Sequence, residues 1–332
     1  MALFKYTTTF VHVLTADIMV SYFKAKAGEV FTVEDAEHCD WINVCPPFKH
    51  GELEALAQFA DIPIDFLTDS LDVDERSRYE KDEDSTLILV NSPILNDDSK
   101  ENEAIYITIP IGIILTPKFF ITVCSKENPV LEKFLENKVK GFNPSDKRLF
   151  VIQIFEQNVY RFLEYLKKLN LRRNLIEQEL YHSSRNEELQ QLLRIEKSLV
   201  YFVSSLSSNE LLKMKMKRTD LLRIHDHEDY LDLFEDIIID NSQALEMSNV
   251  HTNILSGTME AYASIVSNNL NVIIHRLTIV TIILLVPSMV ASFYGMNLNH
   301  LPFNGSKYAF YFIILISILL GIFVVWYFSK KK

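Results

Sequence analysis

Hydrophobic and polar positions along this 332-residue chain follow three different spacings, and each predicts a different kind of structure. Up to about residue 143, short runs rich in β-branched and aromatic residues alternate with turn residues, at 7–14, 41–44, 86–90, 104–109 and 119–123. Such runs predict strands. Between them, 51–60 and 64–71 repeat apolar residues at helical spacing. This part reads as an α/β or α+β domain. From Ser145 to Val286 there is no proline and one glycine, Gly257, so the stretch is predicted to be mainly helical. An antiparallel pair is expected, at about 146–182 and 187–204. One break falls near 183–186, where serines can cap a new helix, and another near 205–209. A third helix begins around 227–230 and meets no breaker before the apolar C-terminal region. At about 1.5 Å per residue it is on the order of 90 Å long, too long to bury itself in one domain. It reads as a stalk.

The third spacing is continuous. No charged residue occurs between Arg276 and Lys307, and none between Lys307 and Lys330. Those gaps hold two apolar spans, 277–293 and 308–328, and a bilayer core takes about 20 helical residues. The polar residues of the stalk are ordered as well. Glu260, Ser264, Ser267, Asn271, Ile274, Thr278, Thr281, Leu285, Ser288 and Ser292 form one stripe with alternating steps of four and three. A 3.5-residue period marks a face directed at the axis of a left-handed helical bundle. Small hydroxyl residues also serve helix contacts in membranes, so packing is the competing reading. If the stripe lines a pore, several subunits must surround it, because two membrane helices cannot enclose a path. Ile274 and Leu285 then form apolar constrictions.

Composition narrows the function. The net charge of −11 argues against nucleic acid and suits a protein that handles cations. Three cysteines (Cys39, Cys45, Cys124) in a reducing compartment predict no disulfide framework, and His38, Cys39, Cys45 and His50 match no standard zinc spacing. The run His225, Asp226, His227, Glu228, Asp229 reads as an acidic helix start rather than a metal site. No phosphate-cradling glycine loop or nucleophile elbow is present, so neither an enzyme nor an organic cofactor is expected. The N-terminus has no signal-peptide pattern. Lysines at 330–332 and His275-Arg276 flank the two spans, which places both termini in the cytoplasm and the spans in the cell (inner) membrane.

Directly after the first span stands Tyr294-Gly295-Met296-Asn297, and here the chain resembles the CorA family of magnesium transporters. The resemblance rests on the run 271–278, on Pro287, on 291–297, and in the cytoplasmic part on 41–44 and 66–76. It implies a funnel-shaped homopentamer in membrane lipid that takes up hydrated divalent cations. Mg²⁺ is the transported and regulatory ion, with Co²⁺ and Ni²⁺ possible. The implied segments are a cytoplasmic α+β domain at 1–143, a helical region at 144–226, and a stalk with the first pore helix at 227–294, its membrane part about 275–294. An outer loop at 295–307, a second membrane helix at 308–328 and a basic tail at 329–332 follow. Gly295, Met296 and Asn297 are assigned to ion selection, with Gly295 permitting the turn that aims Asn297 inward. A ring of amide carbonyls accepts hydrogen bonds from the waters of an ion that dehydrates reluctantly. Pore-lining positions fall on Asn271, Ile274, Leu277, Leu285 and Ser288, with Thr278 and Thr281 from the stripe. Regulatory carboxylates fall on Asp69, Asp236 and Asp240, and Glu260 faces the stalk lumen. The loop 298–306 has no acidic residue and carries His300. Competing readings are a zinc or other divalent-cation transporter on the same scaffold and a non-conducting membrane-anchored coiled-coil scaffold.

Overall fold

The computed structural model describes residues 20–26, 29–34, 36–47, 51–97, 102–143, 145–180, 186–296 and 308–329. The strand expected at 7–14 lies outside them. Among the described residues seven strands form one sheet: β1 (Val20–Lys26), β2 (Glu29–Val33), β3 (Trp41–Val44), β4 (Arg78–Asp82), β5 (Ser85–Leu95), β6 (Tyr106–Leu115) and β7 (Phe120–Cys124). Their order is β2-β1-β3-β7-β6-β5-β4. Neighbours are antiparallel except β3 and β7, which run parallel with Trp41 beside Phe120.

The central strands are apolar at nearly every position because both faces of the sheet are covered. On one face lie α1 (Glu52–Ala60) and α2 (Ile64–Leu71), whose Leu56, Phe66 and Leu67 meet Ile42, Leu87, Leu89 and Ile121. On the other, α3 (Pro129–Leu135), α4 (Lys147–Leu180), α5 (Asn186–Thr219) and the first part of α6 (Glu228–Tyr294) cover Trp41, Ile88, Val90 and Phe120. Alternate residues of one strand thus enter two different cores, as the two-residue period requires. Gly112 in β6 fits the first layer: a Cβ there would come 1.9 Å from Ser70 Oγ, so α2 packs at this distance only over a glycine.

The two helices of the expected antiparallel pair are α4 and α5, and the second departs from expectation. The break near 205–209 does not exist, since α5 is one helix through Thr219. The polar residues there point at the sheet. Ser205 Oγ donates to Thr108 Oγ1 (2.8 Å), and Asn209 Nδ2 donates to the Asn91 carbonyl (2.8 Å) while its Oδ1 accepts from the Asn91 N–H (3.0 Å). Asn209 thereby satisfies strand backbone that a helix cannot otherwise reach, and Ser205 meets a strand hydroxyl.

The chain divides into two compact units, Met1–Gly257 and Thr258–Lys332. In the first unit, α6 buries Phe234, Ile237, Asn241, Ala244, Ser248 and Leu255, all before Gly257. The second unit holds the rest of α6 and α7 (Ala309–Ser329). Both helices are long and apolar enough to cross a membrane.

Candidate functional site

Helix α6 starts at Glu228 with acidic residues in its first turn, favourable beside the positive end of the helix dipole, and continues for 67 residues. Its buried positions step by three and four from Phe234 to Ser248, on to Leu255. The opposite face is uncovered. Asp232, Asp236, Ile239, Gln243, Glu246, Val250, Asn253, Gly257 and Glu260 are all exposed, in the same alternating steps of four and three. This series joins the stripe expected from Glu260 to Ser292 without a change of phase. Sequence reasoning stopped the stripe at Glu260 because polarity alone does not separate two faces of a soluble helix. The 3.5-residue step was the signal that could have extended it.

Near the membrane, α7 lies against a different side of α6. Ile283, Pro287, Ala291, Tyr294 and Gly295 line an apolar groove of about 910 Å³ with α7 residues that include Ser317 and Gly321. Leu285, Ser288 and Ser292 stay out of that groove and are exposed. The hydroxyls of the stripe are bonded back to their own helix. Thr278 Oγ1 donates to Ile274 O (2.8 Å), Thr281 Oγ1 to Leu277 O (2.8 Å) and Ser288 Oγ to Leu284 O (2.9 Å). Each donor is thereby used, so what the hydroxyl offers outward is oxygen lone pairs. A column of acceptors matches the outward-pointing hydrogens of a hydrated cation. Asn271, Ile274 and Leu277 are exposed too, and Leu277 sits one position off the stripe.

Gly295 does not take a left-handed backbone; its N–H still closes a helical bond to Ala291 O (2.9 Å). A Cβ there would sit 3.4 Å from that oxygen, an ordinary contact. The chain is therefore still finishing its helical turn at Gly295. Met296 is exposed, and Asn297 lies outside the described residues.

The expected regulatory carboxylates divide into two settings. Asp69, on α2, accepts from Arg78 Nη2 at 2.7 Å, and the same guanidinium also holds Glu75. Asp236 and Asp240, on α6, line a small cleft of about 300 Å³ with Glu156 and Tyr160 of α4. Burial, and then the Glu156 and Asp240 carboxylates, push the Tyr160 phenol up, which registers the negative field there. Because α2 and α6 pack on opposite faces of the sheet, one subunit does not bring Asp69 to Asp236. Among the described residues no three His, Cys, Asp or Glu side chains are grouped to hold a metal. His225 Nδ1 faces Asp220 Oδ1 at 2.9 Å, and Cys39 donates to Ala36 O.

The chain is 26% identical over 308 residues to the cobalt/magnesium transport protein CorA of Methanocaldococcus jannaschii, covering 88% of this chain and 90% of that protein. It is 25% identical over 308 residues to the magnesium transport protein CorA of Helicobacter pylori, covering 91% and 92%. In fold it is similar to the complete structure of the CorA magnesium transporter from M. jannaschii, with a TM-score of 0.77 at 23% identity over 95% of this chain and 99% of that one. The model of the family described as CorA-like Mg²⁺ transporter protein matches residues 36–332, nearly the whole chain, and this chain belongs to that family.

Proposed function

We propose that this chain is one subunit of a divalent-cation channel that admits Mg²⁺, with Co²⁺ as a second substrate and Ni²⁺ as a further one. The observation that carries the reading is the unbroken 3.5-residue stripe of α6, uncovered from Asp232 to Ser292 and lined in its membrane part by back-bonded hydroxyl oxygens. The relatives named as cobalt/magnesium and magnesium transport proteins support the choice of ion. Five copies of α6 around one axis put the stripe on a central pathway, with α7 toward lipid. Gly295, Met296 and Asn297 form the outer mouth, and Asn297 amides receive the hydrated ion. Asn271, Ile274, Leu277, Thr278, Thr281, Leu285 and Ser288 line the path, and Glu246 and Glu260 place rings of carboxylate in its cytoplasmic part. Both termini lie in the cytoplasm, and the inward membrane potential drives uptake by about 2.3 kcal/mol per charge per 100 mV.

Regulation by cytoplasmic Mg²⁺ follows from carboxylates facing each other across subunits, which repel until a cation lies between them. Asp236 and Asp240 suit that role better than Asp69, whose charge Arg78 already neutralises. The deciding experiment is flux into liposomes containing the purified full-length chain, with Mg²⁺, Co²⁺, Ni²⁺ and Zn²⁺ compared. Wild type should pass Mg²⁺ and Asn297→Ala should not. A wild type that passes Zn²⁺ but no Mg²⁺, or no ion at all, removes the reading.

A further inference from the structure

Lys213 is a lysine that the transport reading does not use, and its surroundings are unusual for a cation. It projects from α5 with its side chain 0% exposed. Nζ donates to Asn241 Oδ1 of α6 at 2.6 Å and lies 5.6 Å from the centroid of the Phe155 ring of α4. Asn241 is itself fixed, because its Nδ2 donates to the Leu206 carbonyl of α5 at 3.0 Å. Among the described residues no carboxylate lies within ion-pair distance of Lys213. Three elements thus close around one ammonium: α5 contributes the field of Glu210, α6 a neutral amide and α4 an aromatic face.

Burial disfavours the charged form of such a group, and one neutral acceptor does not replace the water it has lost. Here burial pushes the amine down to about 7 against the favourable influence of Glu210. A neutral amine still has N–H groups for Asn241, so losing the proton relieves the desolvation cost without breaking the bond. Taking up a proton has the opposite consequence, and the ammonium regains water only if α6 moves away from α5. Asn241 belongs to the buried series of α6, the face that keeps the helix on the first unit.

We propose that Lys213 and Asn241 form a proton-sensitive latch that fastens α6 to α5, closed when the amine is neutral and loosened when it is protonated. The sign follows from linkage. The docked state binds fewer protons than the undocked state, so docking strengthens as pH rises from about 7 toward the ordinary lysine value of 10.5. Between pH 6 and pH 8 the docking equilibrium should change about tenfold. Cytoplasmic acidification then loosens the same helix that carries the pathway stripe. The link to flux rests on the transport reading, whereas the docking itself does not.

Hydrogen exchange of the full-length chain in liposomes, read on peptides covering 237–248, tests the latch. Wild type and Lys213→Met are compared at equal pH, so that intrinsic exchange cancels. The wild-type to variant ratio of protection should rise about tenfold from pH 6 to pH 8. A constant ratio overturns the latch. Lys213→Gln, a neutral donor of similar reach, serves if the methionine variant fails to fold, and the same ratio is required of it. Direct titration of the Lys213 side chain by ¹³C NMR in the wild type should give a midpoint near 7, and one above about 9 overturns the proposal. If protection follows pH but the wild-type to variant ratio of Mg²⁺ flux does not, the connection to the pathway is wrong. A wild type without Mg²⁺ flux defeats the transport reading instead, while the protection ratio still judges the latch.

Discussion

Thr278, Thr281 and Ser288 show how single atoms set what the stripe presents outward. Each hydroxyl gives its proton to the carbonyl one turn earlier, leaving an oxygen that only accepts. Thr278→Val keeps the shape and removes that oxygen from every subunit. A hydrogen bond to a neutral acceptor contributes about 0.5–1.5 kcal/mol, so Mg²⁺ flux should fall roughly tenfold while thermal stability stays the same. Stopped-flow flux in liposomes checks the first outcome and a melting curve the second. Arg78 governs a different quantity. Its guanidinium sits 2.7 Å from Asp69, so Arg78→Gln leaves that carboxylate uncompensated and the Mg²⁺ midpoint for protease protection should move to lower concentration. Arg78→Lys should keep the wild-type midpoint, and an unmoved Arg78→Gln curve would dissociate this pair from regulation.

Among the elements, α2 and α5 depend on contacts that span the sheet. Gly112 and Ser70 are a matched pair, since a Cβ at 112 would meet Ser70 Oγ at 1.9 Å and Ser70 Cβ at 2.4 Å. Gly112→Ala should therefore destabilise the chain by about 1–3 kcal/mol, the usual range for an overpacked core. Adding Ser70→Gly should recover most of that loss, and a double-mutant cycle by denaturant unfolding measures the coupling. On the other face, Asn209 occupies both backbone groups of Asn91 and accepts from Ser77 Oγ at 2.6 Å. Asn209→Leu leaves these groups buried without that partner. Ser77 Oγ still accepts from the Asn91 N–H and Asn158 Nδ2 still donates to its carbonyl, so at about 0.5–1.5 kcal/mol for each lost bond the change should lower the melting temperature without shortening α5 in circular dichroism.

At the scale of the whole molecule, the stripe on α6 makes a claim about every position along it. Cysteines placed at Ser267, Asn271, Thr281 and Ser288 should react with a small charged thiol reagent from the water side. Cysteine at Ile283, on the α7 side, should not. Equal reactivity of all five would mean that the stripe is not a water-filled path. In the same variants, oxidation of Thr281→Cys should link subunits into dimers on a denaturing gel, because a shared axis brings the same position of neighbouring copies together.

Sequence alone determined the features that repeat locally. The charge-free spans, the proline-free helices and the 3.5-residue stripe from Glu260 to Ser292 are periodic patterns set by the solvent each face meets, and a periodic pattern needs no partner to be read. The same holds for Trp41–Val44 and Ile64–Leu71, whose limits match the structure. Tertiary structure decided what depends on distant neighbours. Ser205 and Asn209 read as a break until strands about a hundred positions away supplied their partners. The pairing of Asp69 with Arg78 and the enclosure of Lys213 by α4 and α6 leave no periodic mark in the chain, so only the folded structure shows them. The extension of the stripe down to Asp232 has the same origin. Which side of a soluble helix stays uncovered is settled by what packs on the other, and packing joins residues that the chain keeps far apart.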